Sequence, residues 1–376
     1  METLDTRTGD NGFKLIMKYR NVIMGIAAIW IFVFHTWIPL YHEPTNEITL
    51  FFHSIEEYVR KMGYCGVDIF LLMSGMGLTY SIKKGSVANF YKRRLRRVFL
   101  PYLAITLIRW PIDNWTLWVF LENATGFSFY TKNIHSFCWF VPAIATLYLV
   151  FPLYYRFFCK AKSKLLFTSL SVILWFLLSF VASGYLRGDL YEFTNRIPIF
   201  LIGIYFGELS QKHTGIRLTK IHYLLFLATF ASGLFLAYMY NFCDFELILP
   251  YGKEVIPNIL ISVSLAFYVA KLLDILNRRL PKPGRVLNEA LSFWGKMSLE
   301  MYCAYICFLI PYFLICVRLL ADLELPVLAI NLVIFSLTSS ISLLVSLVLC
   351  YFRRFLELPK RSKLADNSKH VQQGSN

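Results

Sequence analysis

The chain has 376 residues, of which 57% are apolar and only 16% charged, with 34 Phe and 23 Tyr against 23 acidic residues. Soluble domains carry about a quarter charged residues, so this composition excludes a water-soluble enzyme and points to a chain that dissolves in lipid. The net charge of +15 calls for no nucleic acid, because the basic residues sort by membrane side.

Residues 1–20 read as a short polar lead on the cytoplasmic side, with no cleavable signal peptide ahead of the bundle. Ten apolar spans follow, at 21–38, 64–82, 98–112, 137–157, 165–186, 195–209, 221–242, 255–274, 297–317 and 327–352. Several have about the 20 residues a helix needs to cross ~30 Å of hydrocarbon. The third and sixth are shorter and are expected to be tilted, broken or packed inside. Lipid offers free backbone groups no partner, so these spans are helices. The expected fold is all-α: a polytopic integral membrane protein of about ten transmembrane helices, bundled over 21–355. A polar, disordered cytoplasmic tail is expected over 356–376.

Taken in order, the spans carry few ionisable groups, and such groups inside a membrane are functional candidates. His35 lies ~21 Å along the first helix from Asn21, toward the outside, where it can take and return a proton near neutral pH. The following outer loop, 39–63, holds His42, Glu43, Glu47, His53, Glu56 and Glu57. These are expected to be solvated acids, and no metal site is expected. Asp68 lies near the outer end of the second span, Arg109 near that of the third, and Arg196 at the outer start of the sixth. An Asp can orient a histidine, and an arginine can hold an oxyanion or a carboxylate; charges near helix ends also snorkel to the interface.

Between the second and third spans, 83–97 carries Lys83, Lys84, Lys92, Arg93, Arg94, Arg96 and Arg97. That exceeds what sidedness requires and suits anionic headgroups or a multiply phosphorylated ligand. The outer loop 113–136 and its edge are rich in aromatics, Trp115, Trp118, Phe127, Phe129, Tyr130 and Trp139 among them, as an interfacial belt would be. Glu300 sits in the ninth span four residues after Lys296, a spacing that suits an ion pair. Cys303 and Cys307, one turn apart, read as small packing residues.

Basic residues favour the cytoplasmic side. With the N-terminus inside, cytoplasmic segments hold thirty Lys/Arg and outer segments seven, leaving Arg109 within a span. That asymmetry puts both termini in the cytoplasm. No internal repeat is evident, which weakens an inverted-repeat transporter.

Six segments in order carry a resemblance: MGIAAIWIFVFH (24–35), GVDIFLLMSGMGL (66–78), FYKRRLRRVFLPY (90–102), WFVPAIATLYLVFP (139–152), NRIPIFLIGIYFG (195–207) and GKMSLEMYCAY (295–305). Together they resemble acyltransferase family 3, membrane proteins that O-acylate, mostly O-acetylate, cell-surface carbohydrates. The resemblance implies His35 as the essential histidine, with Asp68 orienting or charge-balancing it. Within these segments Arg196, Ser74, Tyr305 and Glu300 are expected as substrate or oxyanion support, and Arg109 joins them from its outer depth. The resemblance further implies an acyl-CoA co-substrate, acetyl-CoA first of all, with its phosphates on Lys92, Arg93, Arg94, Arg96 and Arg97, and no permanently bound cofactor. The other expected partners are a carbohydrate or glycolipid acceptor and membrane lipids, in a bacterial inner membrane.

Two positions depart from the family pattern. Met24 stands where an arginine eleven residues before the histidine is usual, with Lys18 and Arg20 nearby, and Tyr305 stands where a histidine is common. Two rival readings remain at this point: a flippase for a polar glycan, and a sensing module that has lost catalysis.

Overall fold

In a computed structural model of the chain, the structure describes residues 11–38, 40, 46–131, 138–182, 185, 188–212, 218–243, 254–306, 317–318 and 326–357. Every regular element among them is helical. The helices are α1 (Gly12–Lys18), α2 (Arg20–Thr36), α3 (Glu47–Lys61), α4 (Cys65–Ile82), α5 (Val87–Ile112), α6 (Leu117–Ala124), α7 (Ser128–Thr131), α8 (Phe140–Lys160) and α9 (Lys164–Val181). They continue with α10 (Gly188–Thr194), α11 (Ile197–Gln211), α12 (Lys220–Phe242), α13 (Val255–Arg279), α14 (Pro281–Lys296), α15 (298–306) and α16 (Val327–Glu357).

Among the described residues six helices are long and apolar enough to cross a membrane, or seven if α1 and α2, bent by 68° at Tyr19, form one span. Three of the ten spans expected from the sequence are not among them, for identifiable reasons. The span at 98–112 is the distal half of α5, whose first turns carry the cations. The span at 195–209 is α11, only 15 residues long, against the ~20 a crossing needs. The span at 297–317 is described only to residue 306.

The apolar surface divides these helices into central and peripheral. The most apolar stretch of Glu47–Ile82 is 67% buried, against 11% for α12 and 17% for α9. Leu166, Leu170, Ile173, Leu177, Leu224 and Leu225 accordingly point outward, a surface that lipid covers and water would not tolerate. α4 forms the hub, packed on α2, α11, α13 and α8.

Missing side chains set two of these crossings. A Cβ on Gly203 would overlap the Leu72 carbonyl, one on Gly75 the Phe200 carbonyl, and one on Gly207 would sit 2.7 Å from Met76 O. Gly203 and Gly207, four residues apart, thus let α11 lie directly on α4, as small residues do where membrane helices pack closely. Gly25 and Gly295 do the same for α2 and α14, where a Cβ on Gly295 would overlap the Asn21 carbonyl.

Several segments expected as loops are helical. Within the polar lead, Asn11 Oδ1 accepts from the N–H of Phe13 at 3.0 Å and of Lys14 at 3.3 Å. This cap starts α1, which buries Phe13, Leu15 and Ile16 against α11 and α13. The outer segment 39–63 contains α3, and two of its acids, Glu56 and Glu57, are engaged. Glu56 accepts from Trp37 Nε1 at 2.5 Å and from the Leu40 N–H at 2.9 Å, and Glu57 pairs with Arg60 at 2.6 Å. His42, Glu43, Cys307 and the tail from 358 lie outside the described residues, as do Lys132 and His135.

Candidate active site

The helix α2 carries Arg20 in its first turn and His35 in its last, fifteen residues apart, or ~22 Å along the axis. Along its buried face runs a cavity whose empty space, counting the open mouth, is about 930 Å³. α2, α4, α5, α8, α14, α15 and α16 all contribute walls.

Cations gather on this wall from two helices. Ser86 caps α5, accepting from the Asn89 N–H at 3.3 Å, and the preceding Gly85 has a positive φ of 140° that any other residue would find strained. The basic stretch 92–97 is therefore helical, not a loop, and its cations separate by face. Arg94 and Arg97, three apart and so on one face, line the cavity. Lys92, Arg93 and Arg96 are exposed outside it. Arg94 lies 5.6 Å above the Tyr148 ring, which orients the guanidinium through its π-face.

Arg20 joins this pair on the cavity wall, its Nε donating to Met73 O at 3.2 Å. Met24 lines the same cavity one turn further on. Arg20 thus occupies the face of α2 that the missing arginine at 24 would have occupied, displaced by one turn.

The middle of the cavity is apolar, with Ile31, Phe32, Val67, Phe70, Phe140 and Ile144 among its walls, and Ser74 exposes its small polar side chain there. Tyr302 and Tyr305 also line it. Tyr305 is 3% exposed, and its hydroxyl has no hydrogen-bond partner within the protein. Its ring lies 5.5 Å from that of His35 and 5.6 Å from Phe32. His35 itself does not line the cavity. It is exposed, beside the Tyr305 ring, with Phe34 edge-on at 4.8 Å.

Four polar groups were expected at a common outer depth, and the structure sorts them into three separate places. His35 stands with Tyr305. Asp68, 1% exposed, accepts from Asn258 Nδ2 at 3.1 Å and faces Arg196 Nε at 3.8 Å. Arg196 is further held by Glu192 at 2.5 Å and lies 5.4 Å over the Trp139 ring. Arg109 donates through Nε to Asp113 Oδ2 at 2.7 Å, at the end of α5 and off the cavity. Asp68 therefore orients Arg196 rather than His35: the buried guanidinium takes the carboxylate that sequence reasoning had given to the histidine.

Glu300 also departs from expectation. Met297 ends α14, so Lys296 and Glu300 sit on different helices and the four-residue spacing loses its meaning. The Cys350 thiol donates to Glu300 Oε1 at 3.6 Å, within the sulfur range, and Glu300 is not part of the cavity wall.

Sequence reasoning passed over Trp294 and Ser342 and held Tyr148 and Ser298 only as members of quoted segments; all four are on the cavity wall. Their aromatic or small polar character is ordinary in a membrane span, and no local signal separates them from packing residues. The site thus has a cationic end, an apolar middle and a wall formed by a tyrosine backed by an exposed histidine. Such an arrangement can receive an elongated anion and present its far end to a base.

The family model described as an acyltransferase domain, that of acyltransferase family 3, matches residues 18–351. No curated protein matches the chain, and no solved structure does.

Proposed function

The chain belongs to acyltransferase family 3, and from that membership we propose that it moves an acyl group, acetyl first of all, from cytoplasmic acyl-CoA to a hydroxyl of an extracytoplasmic or lipid-linked carbohydrate. One observation carries this reading: Arg20, Arg94 and Arg97 converge on a cavity that Tyr305 also lines, with His35 against the Tyr305 ring.

Guanidinium forks match phosphate oxygens, so the phosphates of acyl-CoA bind at the cationic end. The slender arm follows the apolar middle and brings the thioester toward Tyr305. The acceptor hydroxyl approaches His35 from the exposed side. His35 takes the hydroxyl proton as the oxygen attacks the thioester carbonyl. The Tyr305 hydroxyl, unpartnered at rest, donates to the carbonyl oxygen as it becomes negative. The carbon–sulfur bond then breaks, the ester leaves with the acceptor, and the CoA thiolate recovers a proton from the imidazolium.

The ion pair of Asp68 and Arg196 fixes α4 against the start of α11, which keeps the wall of the cavity in place. In this reading the protein is a multi-pass protein of a plasma membrane, and the sidedness of its charges matches a donor from inside and an acceptor from outside.

Membranes holding wild type or His35→Ala, incubated with acetyl-CoA labelled in the acetyl group and a crude glycan extract, test the reading. Label is expected in glycan, with release of CoA, from wild type alone, while His35→Ala accumulates to the same level as a folded protein. Equal transfer by both removes His35 from the reaction. A wild type that neither turns over nor binds CoA overturns the donor assignment.

A further inference from the structure

Ser342 on α16 is 1% exposed and belongs to the cavity wall, yet its hydroxyl has no hydrogen-bond partner within the protein. The Ser339 hydroxyl on the same helix is also unpartnered, but of the two only Ser342 lines the cavity. Serine and threonine in membrane helices commonly donate to the carbonyl one turn back, as two other residues of α16 do. Thr338 donates to Ile334 O at 2.7 Å, and Ser346 donates to Ser342 O at 2.6 Å. A buried hydroxyl left unpaired is destabilising, so its presence on a cavity wall points to a partner brought by the ligand.

The depth of Ser342 says which part of the ligand that is. Asn331 Oδ1 accepts from the Ile38 N–H at 2.9 Å, and Asn331 Nδ2 donates to Ile38 O at 2.6 Å. The Phe335 ring lies 5.1 Å from Phe32. As the chain advances on α16 it retreats on α2, so the two helices are antiparallel. Seven more residues along α16, ~10 Å, bring Ser342 level with the middle of α2, where Met24 and Ala28 line the cavity. It therefore stands between the arginines and Tyr305.

We propose that Ser342 hydrogen-bonds an amide of the arm that joins the phosphates of acyl-CoA to its thioester. This rests on the donor reading above. The chemistry suits the depth: the phosphates lie at the cationic end, the reacting carbonyl at Tyr305, and between them the arm presents amide groups to an otherwise apolar wall. Ser342 is a binding and positioning residue, acting on the arm and not on the reacting atoms.

The test compares two ligands on the full chain in detergent: CoA, which has the arm, and adenosine 3′,5′-bisphosphate, which lacks it. Ser342→Ala is expected to weaken CoA about 3- to 10-fold, the loss of one neutral hydrogen bond, and to leave the bisphosphate unchanged. Ser342→Thr, which keeps the hydroxyl, is expected to restore most of the CoA affinity. Equal weakening of both ligands means a general disturbance of the bundle and overturns the proposal, as does unchanged affinity for CoA. If wild type binds the bisphosphate but gains nothing from the arm, the arm path fails while the anion site stands. If wild type binds neither, the donor reading fails and this proposal with it.

Discussion

Arg196 shows how much a single buried charge constrains this molecule. At 3% exposure it is balanced by Asp68 and Glu192, and removal of one partner from such a pair leaves the other charge stranded, at a cost of about 3–5 kcal/mol. Arg196→Gln is therefore expected to lower the thermal midpoint of the detergent-solubilised protein steeply, read as loss of the monodisperse peak after heating. Asp68→Asn combined with Arg196→Gln should lose less than the two single changes added together, because neither charge is then left alone. Strict additivity would mean that the pair is not coupled, and Asp68 would be free to serve His35. Sequence spacing grouped these residues at one depth, and the structure pairs them differently for a geometric reason. Counting along a helix gives depth, so His35, Asp68, Arg109 and Arg196 all read as outer groups. It gives no azimuth around the bundle, and azimuth decides that Asp68 meets Arg196 while His35 meets Tyr305. The case of Arg20 is different: it lies four residues from Met24, so helical periodicity alone places both on one face.

Among the elements, the pair α4 and α11 shows why apolar length alone does not tell a crossing from a helix buried in protein. With 15 residues, α11 is too short to span alone, yet its residues Ile199, Phe200 and Ile204 are buried, and it lies against α4, the hub. Its apolar run records burial in protein rather than contact with lipid, and a sequence window cannot separate the two. The same ambiguity hid α1, α3, α6 and α7, whose short amphipathic runs between spans read as loops. Legible throughout were the helical class and the long apolar spans, because apolar length is a local property. Packing without side chains is the device that fixes this crossing, so bulk there should undo it. Gly203→Leu would drive a side chain into the Leu72 carbonyl and is expected to abolish accumulation of folded protein. Ala228→Leu, on the exposed face of α12, is expected to change accumulation little. Fluorescence-detected size exclusion of tagged variants compares them directly, and a monodisperse Gly203→Leu at wild-type yield would refute close packing as the constraint.

At the scale of the whole molecule, charge and cavity agree on a direction. Thirty of 38 Lys and Arg fall in segments read as cytoplasmic, and three arginines at the cavity, Arg20, Arg94 and Arg97, come from the basic edges of two helices on that same side. The exposed His35 lies in the last turn of α2, ~22 Å from Arg20, so one helix spans from the arginine cluster to the histidine. The donor of the proposed reading is a polyanion, which does not cross hydrocarbon unaided; under that reading it enters from one face only, the one to which the basic residues are assigned. Sealed vesicles of opposite orientation separate the possibilities. Labelled acetyl-CoA added outside inside-out vesicles should reach the protein and pass its acetyl group to acceptor enclosed in the lumen. Added outside right-side-out vesicles, it should transfer nothing until detergent opens them. Equal transfer from both orientations would mean that the cavity is open to either face, and the arginine end would then be a binding site without a side. Transfer from right-side-out vesicles alone would invert the topology itself, and with it the assignment of the thirty cations to the cytoplasm.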